Sequence, residues 1–282
     1  MIGLRVEGIY HWGYWVRIPG TSKLQPSIPL PPPTTLMGAL ALPLVRNGLV
    51  KYDGKAAGES IMQSNKQARG KKLGFESSVS LLEQTVCACS ASLQGAAMYW
   101  EDINKYNTLL FQQFTRSTAE EREVGGRRYL PRYLTGAITT GKVYYPSGGL
   151  IVLYLLDERV LGSMLTPPWK PKLEEACWTI TRIGSKESLF SVRKVDLSRP
   201  RETKGEVKTK FYFPSRAGEV REDQNFYRES FWRGGWGRYD PPVFVEYVIP
   251  GQRTPIRSEP IVVKAVDKAY EFGPEEILLV AG

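Results

Sequence analysis

Apolar and polar positions alternate through residues 2–18, the period-two signature of a first strand, with a bend expected at Gly13. After a loop over residues 19–30, Pro29 and the run Pro31, Pro32, Pro33 hold the backbone extended and bar an early helix. Thr34 or Thr35 is expected to cap the helix that follows, its hydroxyl accepting from an orphaned first-turn amide. Leu36, Met37, Ala39, Leu40, Leu42, Leu44 and Val45 make that helix apolar on nearly every side, which predicts burial against a sheet. Gly38 lets its backbone approach the sheet closely, and Pro43 either kinks the helix or opens its last turn. A helix N-terminus on so stiff a lead-in is also a candidate anion site.

Residues 51–72 are polar and glycine-rich and read as a mobile loop; strand character returns over 73–95, with Val79, Leu81, Val86 and Cys89 inward. From Met98 to about Gly141 the pattern changes. Tyr99, Trp100, Tyr106, Phe111, Phe114, Tyr129 and Tyr133 interleave with Arg116, Arg122, Arg127, Arg128 and Arg132, and Gly125-Gly126 marks a hairpin tip or a flexible loop. Residues 142–156 form a strong strand. Thr166-Pro167-Pro168 starts a second helix through about Thr179, with Leu173, Ala176, Cys177 and Ile180 at helical spacing. A strand over 189–195 completes a βαββαβ order, the ferredoxin-like sheet that also serves RNA recognition. Residues 196–238 are polar, charged and aromatic, and strand-like runs return at 243–249, 260–266 and 277–280. The fold class is therefore α+β: a ferredoxin-like domain over 1–195 with a long insertion at about 98–141, and a smaller β-rich lobe over 196–282.

A chain of 282 residues with 42% apolar composition fits that division into one domain and an appended lobe. It has no apolar run of membrane-spanning length and no signal-peptide order in residues 1–20, so a soluble cytoplasmic protein with no membrane partner is expected. The net charge is +9, and its placement says more than its size. Residues 122–142 carry five basic and one acidic residue, residues 193–238 twelve and seven, and the remainder balances. Two basic segments on a neutral body point to a polyanion partner; a solvated basic surface is the alternative. Cys87, Cys89 and Cys177 are an odd set that argues against a disulfide framework. With His11, the single histidine, they supply four zinc ligands on paper, but C-x-C is not zinc spacing and buried structural cysteine is favoured.

One stretch can carry phosphate chemistry. Thr181-Arg182-Ile183-Gly184-Ser185-Lys186-Glu187-Ser188-Leu189 follows the second helix, and it joins a bare backbone at Gly184 to two hydroxyls and a point charge. A plain helix C-cap at Gly184 is the competing reading. The aromatic–arginine mixture over 98–141 suits single-stranded nucleic acid, rings stacking on bases and guanidinium groups meeting phosphates, or else an ordinary hairpin packed on the body. Catalysis is poorly supplied. A single histidine excludes a two-histidine acid–base pair, and no phosphate-loop, dinucleotide, serine-hydrolase, zincin or zinc-deaminase motif occurs.

Two matches in order carry a family resemblance. Arg17-Ile18-Pro19 followed by Pro31-Pro32-Pro33-Thr34-Thr35-Leu36-Met37-Gly38-Ala39 resembles the N-terminal signature of a CRISPR-associated family. This is the RAMP subunit, fifth in the Cas series, that caps the 5′ end of the guide RNA in type I Cascade effectors. Arg182-Ile183-Gly184-Ser185-Lys186-Glu187-Ser188-Leu189 resembles the same family's glycine loop in its archaeal type I-A form. The resemblance covers residues 1 to about 195 and the C-terminal lobe loosely. It implies an RRM/RAMP palm, a protruding thumb hairpin at about 98–141, and a glycine loop gripping the crRNA 5′ handle. Gly184, Ser185 and Lys186 match the loop, with Arg182 and Ser188 within the same motif; Arg17, Thr34 and Thr35 match positions beside it. Arg127, Arg128 and Arg132 fall in the thumb as cations for handle phosphates. The implied partners are the crRNA handle, the Cascade backbone and large subunits, and target DNA indirectly, with no cofactor and no metal. One subtype of the family cuts precursor RNA with a histidine, a lysine and a tyrosine; His11 fits no such pattern, so a non-enzymatic subunit is expected. The alternatives are a metal-independent endoribonuclease using His11 as base, and a generic single-stranded RNA-binding scaffold.

Overall fold

Strand β1 (Ile2–Tyr10) alternates as its sequence does, with Ile2, Leu4, Val6 and Tyr10 buried. The computed structural model describes residues 1–18, 24–52, 55–56, 79, 82–108, 135–234 and 243–281. After β1 come β2 (Gly13–Tyr14), β3 (Leu24–Gln25), α1 (Pro33–Arg46) and the short pair β4 (Lys51–Tyr52) and β5 (Lys55–Ala56). Next are β6 (Val86–Leu93), a long hairpin of β7 (Ala96–Thr108) and β8 (Thr135–Tyr144), and β9 (Gly149–Leu156). Helices α2 (Glu158–Met164) and α3 (Trp169–Trp178) lead to β10 (Phe190–Ser198). The remainder is β11 (Arg201–Thr209), β12 (Phe213–Pro214), β13 (Gly218–Val220), β14 (Phe226–Gly234), β15 (Val243–Arg253), β16 (Ile256–Ser258), β17 (Ile261–Gly273) and β18 (Glu276–Val280). The protein is thus α+β, mostly antiparallel sheet with few helices.

The first sheet has the order β10-β1-β9-β6, and each neighbouring pair is antiparallel. Central β9 is apolar throughout because both of its faces are covered. Leu150, Val152, Tyr154 and Leu156 enter the core shared with α1 and α3, whereas Ile151, Leu153 and Leu155 meet Phe211, Tyr270 and Leu278 of the C-terminal strands. Each such side chain contributes about 1.5–3 kcal/mol of burial; at the β1–β10 edge the outer face is charged instead, with Glu7, Asp196 and Lys194 27%, 40% and 60% exposed. The C-terminal strands form β11-β17-β13, with β18 on β17, and join N-terminal strands in a second, eight-stranded sheet β12-β15-β16-β7-β8-β2, with β14 on β15 and β3 on β8. Through the Ile256↔Ala97 pairing the long hairpin grows out of that second sheet.

Several expectations need correction. Helix α1 begins at Pro33, and neither threonine caps it: Pro32 is the N-cap without a side-chain bond. Pro33 at the first helical position needs no cap, having no N–H, and the Thr35 and Leu36 amides both return to the Pro32 carbonyl at 2.9 and 3.1 Å. Pro43 opens the last turn, which Asn47 closes by donating to the Pro43 carbonyl at 2.9 Å. The strand expected over 142–156 is two strands, because Pro146, Ser147 (φ 55) and Gly148 form a turn inside it. The first strand stops at Tyr10, and the bend falls at His11-Trp12, just before β2 opens at Gly13. Strand character in 73–95 is confined to Val86–Leu93; Val79 is buried in a turn, and Leu81 and most of 51–72 lie outside the described residues. Helix α2 was not foreseen; Asp157 caps it by accepting from the Arg159 and Val160 amides.

Candidate nucleic-acid interface

From the C-cap of α3 at Thr179 the chain turns through residues 180–189 into β10. Gly184 lies five residues past that cap, so its role is not to end the helix. Its φ is +119°, and a Cβ there would stand 2.8 Å from Ser188 Oγ and 3.0 Å from the Trp15 carbonyl oxygen. The position admits only glycine without strain. Around it the loop is stitched to the end of the first sheet. The Ser185 amide donates to the Trp15 carbonyl at 2.8 Å, and the Trp15 amide donates to Ser188 Oγ at 3.0 Å. The Ser185 and Ser188 hydroxyls are 3.1 Å apart. Below, fully buried Tyr10 donates to the Ile183 carbonyl at 3.0 Å, and Arg182 bridges Leu189 across the base of the loop.

These bonds divide the sequence-derived residues by task. Ser188 is fully buried, and its hydroxyl is used inside the loop. Ser185 is half-buried with Gly184, while Arg182 and Lys186 point outward and exposed. Arg17, two residues beyond Trp15, is exposed beside its bridge partner Ser27. None of Arg17, Arg182 and Lys186 forms a salt bridge among the described residues. Arg127, Arg128 and Arg132, with the Gly125-Gly126 tip, lie outside the described residues.

The start of α1 is not part of this open edge. Residues 29–34 are buried, with Thr34 7% exposed. The prolyl carbonyls are held by buried side chains: Tyr14 donates to Pro29, Tyr212 to Pro31 at 2.7 Å, and Tyr154 to the Leu36 carbonyl at 2.8 Å. An anion has no approach to that helix end, so the anion reading of the proline-led stretch gives way to a structural one. Nor is a thiolate site favoured. Burial pushes the Cys89 thiol up to about 12 and raises Cys177 further, so both stay protonated side chains of the core. His11 is exposed, its Nε2 2.8 Å from Ser191 Oγ and its amide donating to the Leu189 carbonyl.

Sequence reading overlooked Trp12, Lys142 and Tyr144. The Trp12 indole donates to the Glu187 carbonyl, and Lys142 and Tyr144 stand opposite Trp100 and Met98 across β7–β8. The available signal was the alternation within the hairpin, hidden by reading 142–156 as one strand.

Few helices, mostly antiparallel sheets and an exposed cation-bearing loop at the end of the first sheet describe an α+β protein. No protein-family model matches the chain. Two proteins of Saccharolobus solfataricus, "CRISPR system aCascade subunit Cas5 1" and "CRISPR-associated protein Cas5 3", are each 32% identical to it over 95% of both chains. A crystal structure of a CRISPR protein from Archaeoglobus fulgidus shares the fold over 100% of both chains, with TM-score 0.58 and 22% identity. The chain belongs to the Cas5 family of CRISPR-associated proteins.

Proposed function

We propose that this chain is the non-catalytic subunit of a type I-A-like Cascade effector that binds and caps the 5′ handle of crRNA and so supports interference with target DNA. In this reading the β10-β1-β9-β6 sheet with α1 and α3 is a ferredoxin-like RAMP palm within residues 1–195. The β7–β8 hairpin is the base of its thumb, and residues 196–282 are an accessory lobe facing the Cascade backbone or large subunit. The cytoplasm is its compartment, and no described helix is long and apolar enough to cross a membrane.

The observation that carries the reading is the glycine loop. It is tied to Trp15 by two hydrogen bonds and carries exposed Arg182 and Lys186, which form no salt bridge among the described residues, with Arg17 two residues beyond Trp15. An RNA-recognition sheet ordinarily receives bases on its open face; here that face is occupied by Phe211, Tyr270 and Leu278. The strand must then be taken at the sheet end, where a rigid loop offers cations to phosphates and a close backbone at Gly184. Thr34 lies buried and Thr35 half-buried in the first turn of α1.

The test is binding of the purified chain to a handle-bearing RNA against random RNA of equal length. The handle RNA is expected to bind tighter, with affinity falling steeply with salt. Arg182→Ala with Lys186→Ala removes two phosphate contacts, lowering the salt slope by about 1.4 and affinity by about tenfold at physiological salt. Equal binding of random RNA, or an unchanged slope, would sink the proposal. Chelator-resistant cleavage of repeat RNA that is lost on His11→Ala would replace it with a ribonuclease.

A further inference from the structure

Between the glycine loop and the base of the β7–β8 hairpin lies an open cleft of about 260 Å³ lined by Trp12, Trp100, Lys142, Tyr144 and Glu187. The hairpin's register builds one wall. Trp100 pairs with Lys142 and Met98 with Tyr144, so these side chains share a face, while Tyr99 and Val143 turn to the other. Trp100 is 51% and Tyr144 55% exposed, and aromatic surface gathered in a cleft marks a binding site. The opposite wall is Trp12. Its indole N–H is engaged by the Glu187 carbonyl, which fixes the ring, and the Lys142 ammonium lies 5.8 Å from its centroid. Glu187 carries the one carboxylate of the lining. Burial pushes its carboxyl up, but the Ser185 hydroxyl, its own backbone amide and the Lys186 and Lys142 charges together outweigh this and hold it below the usual range.

We infer that this cleft is a base slot selecting one guanine of the bound RNA, its ring stacked on the aromatic walls and its edge read by Glu187 and Lys142. The inference rests on the RNA-binding reading above and goes beyond it, since phosphate contacts carry no sequence information whereas a base edge does. Guanine presents N1–H and its 2-amino group as adjacent donors, which match the two oxygens of one carboxylate, and it presents O6 to an ammonium. Adenine and cytosine offer one amino group beside an acceptor nitrogen. Uracil sets a single N–H between two carbonyls, which repel a carboxylate. The charged pair also separates a base from a protein partner, because the buried centres of protein interfaces are depleted in Lys and Glu.

Trp12 and Trp100 make the cleft its own reporter. In a titration of the full chain followed by tryptophan emission, GMP is expected to saturate at roughly tenfold lower concentration than UMP, with AMP and CMP between. Glu187→Gln should shrink that preference to about threefold or less. Trp100→Ala and Tyr144→Ala should each weaken GMP, and a guanine-containing handle RNA, by about tenfold. Both side chains are half exposed, and an unchanged melting temperature confirms that the variants fold. Four nucleotides quenching alike, or none quenching saturably, would overturn the slot. So would cleft variants that keep full nucleotide and RNA binding but shed a neighbouring Cascade subunit, which would make the patch a protein contact. The two proposals fail separately. If Arg182→Ala with Lys186→Ala abolishes handle binding while cleft variants do nothing, the slot falls and the handle reading stands. If handle RNA binds no better than random RNA, the handle reading falls, and GMP selectivity still decides the slot.

Discussion

Arg182 and Lys186 stand exposed at the rim of the glycine loop with no salt bridge to any described carboxylate, whereas Lys264 and Lys268 of β17, equally exposed, lie 3.4 Å from Glu219 and 3.2 Å from Glu202. The same pairing recurs in the C-terminal half, although exposed Arg193, Lys204 and Arg216 form no salt bridge among the described residues. Arg201 bonds Glu271 directly across β11–β17, Lys208 lies 2.7 Å from Glu275, Arg221 2.7 Å from Asp223, and Arg228 2.8 Å from Glu246. Residues 193–238 carry twelve cations, and the fields of Lys194, Arg199, Arg201, Lys208, Arg221 and Arg228 are each reduced by a paired carboxylate. The loop carries two cations, Arg182 and Lys186, and one carboxylate, Glu187, with no salt bridge among the described residues. Net charge over a segment does not show how many of its cations are already paired, and a paired cation projects less field than an unpaired one.

The largest effect that would break this contrast is in the loop's backbone. Gly184→Ala places a Cβ against Ser188 Oγ and the Trp15 carbonyl at a positive φ, and strain of this kind costs about 1–3 kcal/mol. RNA affinity should fall at least as far as for Arg182→Ala with Lys186→Ala, because the whole rim shifts, and the melting temperature should drop measurably. Wild-type affinity and stability in Gly184→Ala would show that the cations need no such scaffold.

Ser188→Ala comes next. The Trp15 amide loses its acceptor at a partly buried site, a loss worth about 0.5–1.5 kcal/mol. Denaturant unfolding should report it as a lower midpoint at unchanged slope. Because Ser188 is buried, the salt slope of RNA binding should stay as in the wild type; a changed slope would mean that Ser188 itself meets the ligand.

How the sequence led to this site differs from element to element. Gly184, Ser185 and Lys186 were legible because their chemistry is local: a residue without a side chain, a hydroxyl and a charge within three positions. The α1 core positions were legible from their spacing, and Leu36, Met37, Leu40 and Leu44 are all buried. Strands β11 to β14 were not, since β11 buries only Val207 and Thr209 and fills its remaining positions with charges whose partners are about 70 residues away, as in Arg201–Glu271. A period-two search sees such a strand as a polar loop. The proline-led helix was read correctly as buried and wrongly as an open anion site. Nothing near Pro31 in sequence announces that Tyr212 will close over it.

The smallest expected effect sharpens the contrast most. Lys264→Ala with Lys268→Ala removes the same formal charge as the loop pair, from side chains as exposed, and long-range attraction of RNA to a +9 protein would be reduced equally by both. If only locally unmatched charge matters, the sheet pair should change RNA affinity by less than about twofold, because Glu219 and Glu202 already screen those ammonium groups and exposed pairs of this kind are worth about 0–1 kcal/mol. Its salt slope should equal that of the wild type, since a lysine that touches no phosphate releases no counterion on binding. A tenfold loss from the sheet pair would place RNA across the C-terminal sheet, and it would then be the loop's isolation, rather than the sheet's pairing, that required another explanation.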